Sequence, residues 1–256
     1  MRVSILGCSG GIGGGRHTTA LLVDTDVLID AGSGVAQLEL AALARIEHLF
    51  LTHAHLDHIL ALPLLLDSSA GQRERPLVVH GLPEVLQVLR DCIFNWQVWP
   101  DFSRIPSPEA PFMTYAPLLP GETVRLGTRS FTPIPAHHTV PAVGYRLRGE
   151  SSSLVFSGDT ASHAALWDVV NDAHDLHHLI VETSFPDRLE AIAHASRHYH
   201  PRALVADLTR YRGQAPVWIT HLKPGGEEEI MREILAGAPA ALSIAPLTQG
   251  QTLELP

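Results

Sequence analysis

The stretch "THAHLDHI" at residues 52–59 places His53, His55, Asp57 and His58 directly behind the apolar run Leu49-Phe50-Leu51. The apolar run reads as a buried strand, so the cluster stands at a strand end. There His53 and His55 can project the same way, because alternate residues of an extended chain share a face. As the chain turns into a helix near Ile59, Asp57 and His58 can face a point close by. Imidazole and carboxylate donors in this arrangement suit two divalent cations about 3.5–4 Å apart, zinc first, with manganese or iron as alternatives. A helix cap would account for Asp57 alone and leave three histidines without a role.

Strand-like runs recur along the chain, from Val3–Leu6, Ala20–Val23 and Val27–Ile29 through Leu77–His80 and Ser130–Ile134 to Leu154–Phe156, Leu179–Val181 and Val217–Ile219. Helical patterns fall between several of them, at about 36–45, 58–67, 83–94, 162–171, 187–198, 201–211 and 226–236. The early strands are joined by turns too short for parallel crossovers. Two mixed sheets packed face to face with helices outside therefore fit better than one doubly wound sheet. Residues 1–256 read as one domain, without repeats or a low-complexity linker. The one compositional break, at about 95–120, is rich in proline and aromatics and reads as an ordered loop or lid. Its Phe94, Trp96, Trp99, Phe102 and Phe112 are assigned to local packing ahead of base stacking or a homodimer contact.

With 45% hydrophobic residues in 256, the chain can bury a large core. Its 18 basic and 27 acidic residues give a net charge of −9, which disfavours a broad nucleic-acid-binding face. A small anionic substrate stays admissible where bound metal supplies positive charge. No run approaches the roughly 20 apolar residues of a membrane span, and the start "MRVSILGCSGG" is too short in apolar residues for a signal peptide. The expectation is a cytoplasmic protein with no membrane association. Cys8 and Cys92 form no paired pattern and read as buried thiols.

A two-metal site needs further donors, and these must come from other strand ends. His137 and His138 in "PAHHTVPAVGYRL", Asp159 in "LVFSGDT" and His221 in "VWITHLKP" stand where predicted strands begin or end. Asp159, with two oxygens, is the natural bridging ligand. The glycine run "GCSGGIGGGRHTT" at 7–19 is not a nucleotide-binding fingerprint: Arg16 stands where a glycine is needed, no Gly-Lys-Ser/Thr follows, and the run leads into a strand. It reads as a tight loop at the rim of a site. His163, His174, His177, His178, His194, His198 and His200 are taken as surface or core residues.

In this order, Asp30 in "VLIDAG", the HxHxDH stretch, His138, Asp159 and His221 resemble the five motifs of the metallo-β-lactamase superfamily. The resemblance implies a four-layer αβ/βα sandwich and metal-dependent hydrolysis. It also implies a division of ligands: His53, His55 and His138 on one metal, Asp57, His58 and His221 on the other, and Asp159 between them. Asp30 would orient the HxHxDH loop by hydrogen bonds. His138 is preferred over His137 because its interval to Gly144 fits the phosphodiesterase branch.

Flanking residues narrow the branch. "HAHLDHILALPLLLDSS", "LIVETSF" and "ITHLKP" resemble the class II cyclic-nucleotide phosphodiesterases, with departures at Ala61, Pro63 and Thr183. This resemblance implies hydrolysis of cAMP or cGMP to the 5′-monophosphate; two-metal chemistry then calls for a bridging hydroxide, with Asp57 or Asp159 relaying the proton. Lys223 is a candidate phosphate contact and Glu182 a candidate support for the ligands. A tRNA 3′-processing endonuclease is the nearest rival, set aside because no histidine stands beside Glu182 and no basic arm is present. A small-ester or arylsulfatase-like hydrolase is the other alternative.

Overall fold

The computed structural model describes all 256 residues. Strands β1 (Arg2–Gly7), β2 (Ala20–Val23), β3 (Val27–Ile29), β4 (His48–Phe50) and β5 (Leu77–Gly81) are followed by a small hairpin, β6 (Pro106–Ser107) and β7 (Ala110–Pro111), and by β8 (Met113–Pro117). The second half supplies β9 (Val124–Leu126), β10 (Arg129–Pro135), β11 (Val143–Arg148), β12 (Ser153–Phe156), β13 (Leu176–Glu182), β14 (Val217–Thr220), β15 (Ile244–Pro246) and β16 (Thr252–Glu254). Helices α1 (Leu40–Arg45), α2 (Leu56–Ile59), α3 (Leu62–Ser69) and α4 (Pro83–Val88) belong to the first half. Helices α5 (Ala164–Asp172), α6 (Glu190–Ser196), α7 (Pro201–Leu208) and α8 (Glu227–Gly237) belong to the second.

Two seven-stranded sheets result, in the orders β16-β1-β2-β3-β4-β5-β8 and β15-β14-β13-β12-β11-β10-β9. Each is mixed: β3, β4, β5 and β8 run parallel, as do β12, β13, β14 and β15, and the rest pair antiparallel. Their facing sides share one core, in which Phe50 stacks on Phe131 at 4.6 Å between ring centres and Tyr145 meets Phe50 edge-on. The outer face of the second sheet is covered by Leu166 and Trp167 of α5, Leu204 and Leu208 of α7, and Ile230 and Ile234 of α8. This is the four-layer sandwich of two mixed sheets with helices outside.

The departures from the sequence reading have local causes. The pattern at 58–67 divides into α2 and α3, because Pro63 has no N–H and is accommodated in a first turn, where the helix restarts. The pattern at 83–94 is α-helical only to Val88 and continues as a wider turn to Ile93. Within 95–120, Met113–Pro117 is the edge strand of the first sheet, and Phe94, Phe102 and Leu118 are buried in the core. Strands β15 and β16 carry too few apolar residues to show alternation. Cys92 is exposed rather than buried, while burial pushes the Cys8 thiol up to about 11.

Parallel strands β3 and β4, and β12 to β14, deliver their C-terminal ends to one edge of the sandwich, where Asp30, His53, Asp159, Glu182 and His221 follow. Open α/β sheets offer ligand sites at such ends. Two bonds between the sheets fix that edge: the Tyr145 hydroxyl donates to the Leu51 carbonyl at 2.7 Å, and the Val143 N–H to the Thr52 carbonyl at 3.0 Å. No helix is long and apolar enough to cross a membrane.

His80 lies in the core, stacked on Phe50 at 4.2 Å, with Nε2 3.0 Å from Nδ1 of His48. Burial, with help from His48, lowers its imidazole to about 4 from the ordinary 6.5. The unfolded chain thus takes up a proton there before the folded chain does. Stability present above pH 6.5 is lost as pH falls towards 4, by about 2 kcal/mol at pH 5. Urea midpoints at pH 7 and pH 5 should show a smaller drop for His80→Phe than for the unaltered protein; equal drops would refute this assignment.

Candidate metal centre

The HxHxDH loop starts where β4 ends and is held from beneath by Asp30. This aspartate is fully buried in the left-handed region (φ 58°). Its Oδ1 accepts the Thr52 N–H at 2.8 Å, and its Oδ2 accepts the Thr52 hydroxyl and His58 Nδ1–H, both at 2.7 Å. The hydroxyl of Thr52 is then free to accept His53 Nδ1–H at 3.0 Å. One carboxylate thereby sets the tautomer of two imidazoles and turns both Nε2 lone pairs the same way.

The other donors are anchored alike. His138 donates Nδ1–H to the Arg197 carbonyl at 3.1 Å, and the Arg197 guanidinium donates back to the His138 carbonyl at 2.7 Å. His221, itself at φ 62°, donates Nδ1–H to the Ser184 hydroxyl at 2.8 Å, which donates to Glu182 Oε2 at 3.2 Å. Gly158 precedes Asp159 at φ 59°, where a Cβ would lie 2.6 Å from the Val143 carbonyl, so only glycine allows that strand to turn there. The glycine loop does pack at the rim: a Cβ on Gly10 would lie 2.5 Å from the His221 carbonyl.

What these anchors aim at one another is a set of donor atoms. His55 Nδ1 and His138 Nε2 are 3.1 Å apart, and His53, His55 and His138 bring one ring nitrogen each within 4.8 Å of the others. Asp57, His58 and His221 form a second such group, with His221 Nε2 at 3.3 Å and His58 Nε2 at 3.8 Å from Asp57 Oδ2. Asp159 Oδ2 stands between the groups, 3.8 Å from His53 Nε2, 3.3 Å from His58 Nε2 and 3.2 Å from His221 Nε2. These spacings bracket the edge of a tetrahedron around zinc, about 3.4 Å for bonds of about 2.1 Å. His53 Nε2 and His58 Nε2 are buried without a hydrogen-bond partner, a costly state that a cation relieves. The donor set therefore fits divalent metal.

Electrostatics agree. Burial holds His53 and His138 below the ordinary imidazole range, His138 at about 4, and also lowers His55, so all three offer lone pairs at neutral pH. Burial would raise Asp159, but His221, His58 and His53 prevail and hold it far below the usual carboxylate range. Asp57 is held low in the same way, chiefly by His221 and His58. Burial disfavours charge on His58, yet Asp159 and Asp30 raise its pKa.

His198 is the residue the sequence reading missed. The sequence alone places it among surface or core histidines, but it is buried against the donors, stacked on His221 at 5.2 Å and edge-on to His138 at 4.9 Å. Its Nδ1–H donates to Glu182 Oε1 at 2.7 Å. Burial opposes its charge, but Glu182 outweighs that and raises its pKa. The only hint in the sequence was the density of histidines in "HASRHYH" at 194–200. Of the remaining candidates, His137 is exposed and lines a cavity with His194 and His198, and Lys223 donates to the Gly10 carbonyl at 2.7 Å. A cavity of about 740 Å³ lies away from this edge, beside His174 and Tyr211.

Fold and centre define a metal-dependent hydrolase. Residues 25–239 match the family model of the beta-lactamase superfamily domain, and the chain belongs to the metallo-β-lactamase superfamily. Among curated proteins it is similar to a probable 3′,5′-cyclic-nucleotide phosphodiesterase of Yersinia pestis, 26% identical over 98% of this chain and 88% of that one. It is also similar to the chloroplastic tRNase Z TRZ2 of Arabidopsis thaliana, 24% identical over 93% of this chain and 73% of that one. Among solved structures, unliganded yeast PDE1 superposes with a TM-score of 0.80 at 20% identity, covering 98% of each chain.

Replacing Asp30 by Asn leaves the shape but removes the acceptor that orients His58. Metal affinity, measured by competition with a chelator, should fall about 10–100-fold; an unchanged affinity would show that Asp30 does not orient the ligands.

Proposed function

We propose that the chain hydrolyses a small phosphodiester, a 3′,5′-cyclic nucleotide such as cAMP or cGMP, to the nucleoside 5′-monophosphate. The observation that carries this reading is His198, an imidazole of raised pKa held by Glu182 against the donor cluster. A sugar hydroxyl is a poor leaving group and needs a proton as its bond to phosphorus breaks. A thiolate does not, so a thioesterase would have little use for this acid. The full-length similarity to a protein named as a cyclic-nucleotide phosphodiesterase and the net charge of −9 support a small substrate over a polyanion.

In this reading His53, His55 and His138 would hold one cation and Asp57, His58 and His221 a second, with Asp159 shared between them. When bound, two divalent cations, zinc by donor chemistry, supply positive charge for the phosphodiester and the Lewis acidity that makes water nucleophilic near neutral pH. Asp57, the more open of the two carboxylates, accepts the proton of the attacking water, while Asp159 is enclosed by imidazoles. As water's oxygen bonds to phosphorus, the bond to the 3′-oxygen breaks and His198 Nε2–H protonates that oxygen. Glu182 stabilises the imidazolium between turnovers and Lys223 stays held by the glycine loop.

Processing of tRNA 3′ ends is the second reading. One of the two grounds for setting it aside is a histidine missing beside Glu182, and His198 supplies one from another loop; the missing basic arm stands. Similarity to a tRNase Z over 93% of the chain favours it as well. Metal content and turnover of cAMP, cGMP, bis(p-nitrophenyl) phosphate, a sulfate ester and a 3′-extended tRNA decide between the readings. Cyclic-nucleotide turnover with two metals per chain is expected; cleavage of the tRNA alone would overturn the proposal. His55→Ala should lose both metal and activity. His198→Ala should keep its metal and lose about 10²–10⁴-fold in kcat on cyclic nucleotide, but far less on bis(p-nitrophenyl) phosphate, whose leaving group needs no proton.

A further inference from the structure

We propose that Glu190, His194 and His200 form a separate, exchangeable cation site that takes a borderline transition metal such as zinc. Glu190 and His194 stand four residues apart on α6 and so share one face of the helix. His194 Nε2 lies 3.9 Å from Glu190 Oε1. His200, the residue before the first turn of α7, brings its own Nε2 to 3.9 Å from the same oxygen, and the two imidazole rings are 5.3 Å apart. Two nitrogens and one oxygen thus converge from two helices. These contacts are a few tenths of an ångström above the roughly 3.4 Å expected around zinc. His194 and Glu190, 62% and 41% exposed, have room to close the difference.

The buried member is already oriented. The His200 side chain is 3% exposed, and its Nδ1–H donates to Asp187 Oδ1 at 2.7 Å. That bond leaves Nε2 as the lone-pair nitrogen and aims it at Glu190, the carboxylate–imidazole pairing that accompanies histidine ligands. A loop staple would explain the bond to Asp187, but not two imidazoles converging on one carboxylate oxygen. Arg202 pairs with the other oxygen, Oε2, at 3.1 Å and is 67% exposed, leaving Oε1 to the imidazoles. Beside His194 and His200 opens a cavity of about 360 Å³, also lined by His198 and Arg197, with room for a water as fourth ligand. A cation here would tie α6 to the start of α7 across the short loop between them.

The donors differ from those of the metal centre although the cavity is shared with His198, and the test does not depend on turnover. The holoenzyme is freed of loose ions by gel filtration and titrated with Zn²⁺ in a weak chelating buffer. One further equivalent should bind, weakened at least tenfold in His194→Ala and in Glu190→Gln, with the ions retained through gel filtration equal in all three proteins. His194 is exposed and its removal leaves the core intact. If no further equivalent binds, or if His194→Ala takes it up as tightly, the proposal is wrong.

Discussion

Five imidazoles and two carboxylates directed at each other in one pocket form an arrangement that no hydrophobic or hydrogen-bonding gain would assemble by itself. Lone pairs that face one another repel, and two of the inward nitrogens have no partner. The arrangement persists because four of the five rings are fixed from behind. Thr52 and Asp30 hold His53 and His58, Ser184 holds His221, and the Arg197 carbonyl holds His138. His55 is the exception, presenting Nδ1 instead of Nε2. Much of the polar structure beneath the sandwich edge can be read as the support these rings require.

The support is shared between the halves. Ligands from the first sheet are oriented by Asp30 at the end of β3, and those from the second by Ser184 and by the loop after α6. Glu182 serves both purposes: through Ser184 it steadies His221, and directly it raises the pKa of His198. His198, whose charge burial opposes, is thereby coupled to His221 through one carboxylate.

The sequence disclosed most of the architecture because the core strands are short, apolar and bounded by turn residues. It failed where burial was partial: Thr252–Glu254 is a strand by virtue of pairing with β1, and Met113–Pro117 by pairing with β5. The donors in "HAHLDH" were legible because one turn concentrates them. His138, Asp159 and His221 were legible only as strand ends awaiting a fold that joins them. His198 was not legible, since its role arises from Glu182, sixteen residues earlier in the chain, and neither stretch announces the other. Cys92 misled for a simpler reason: thiols are usually buried, and this one lies on a helical turn facing solvent.

The contact between Tyr145 and the Leu51 carbonyl has a consequence for how the chain reaches a single register. A slip of one residue in the β10–β11 pairing would send Tyr145 to the opposite face and withdraw its hydroxyl from the carbonyl behind the histidine loop. In most antiparallel hairpins such an error is opposed by hydrophobic burial alone. Here it would also pull His138, on the loop joining those strands, away from His55. Register and chemistry are thus verified by the same residues, and a misaligned chain would forfeit cation binding along with its packing, leaving it more open to proteolysis than a correctly threaded one.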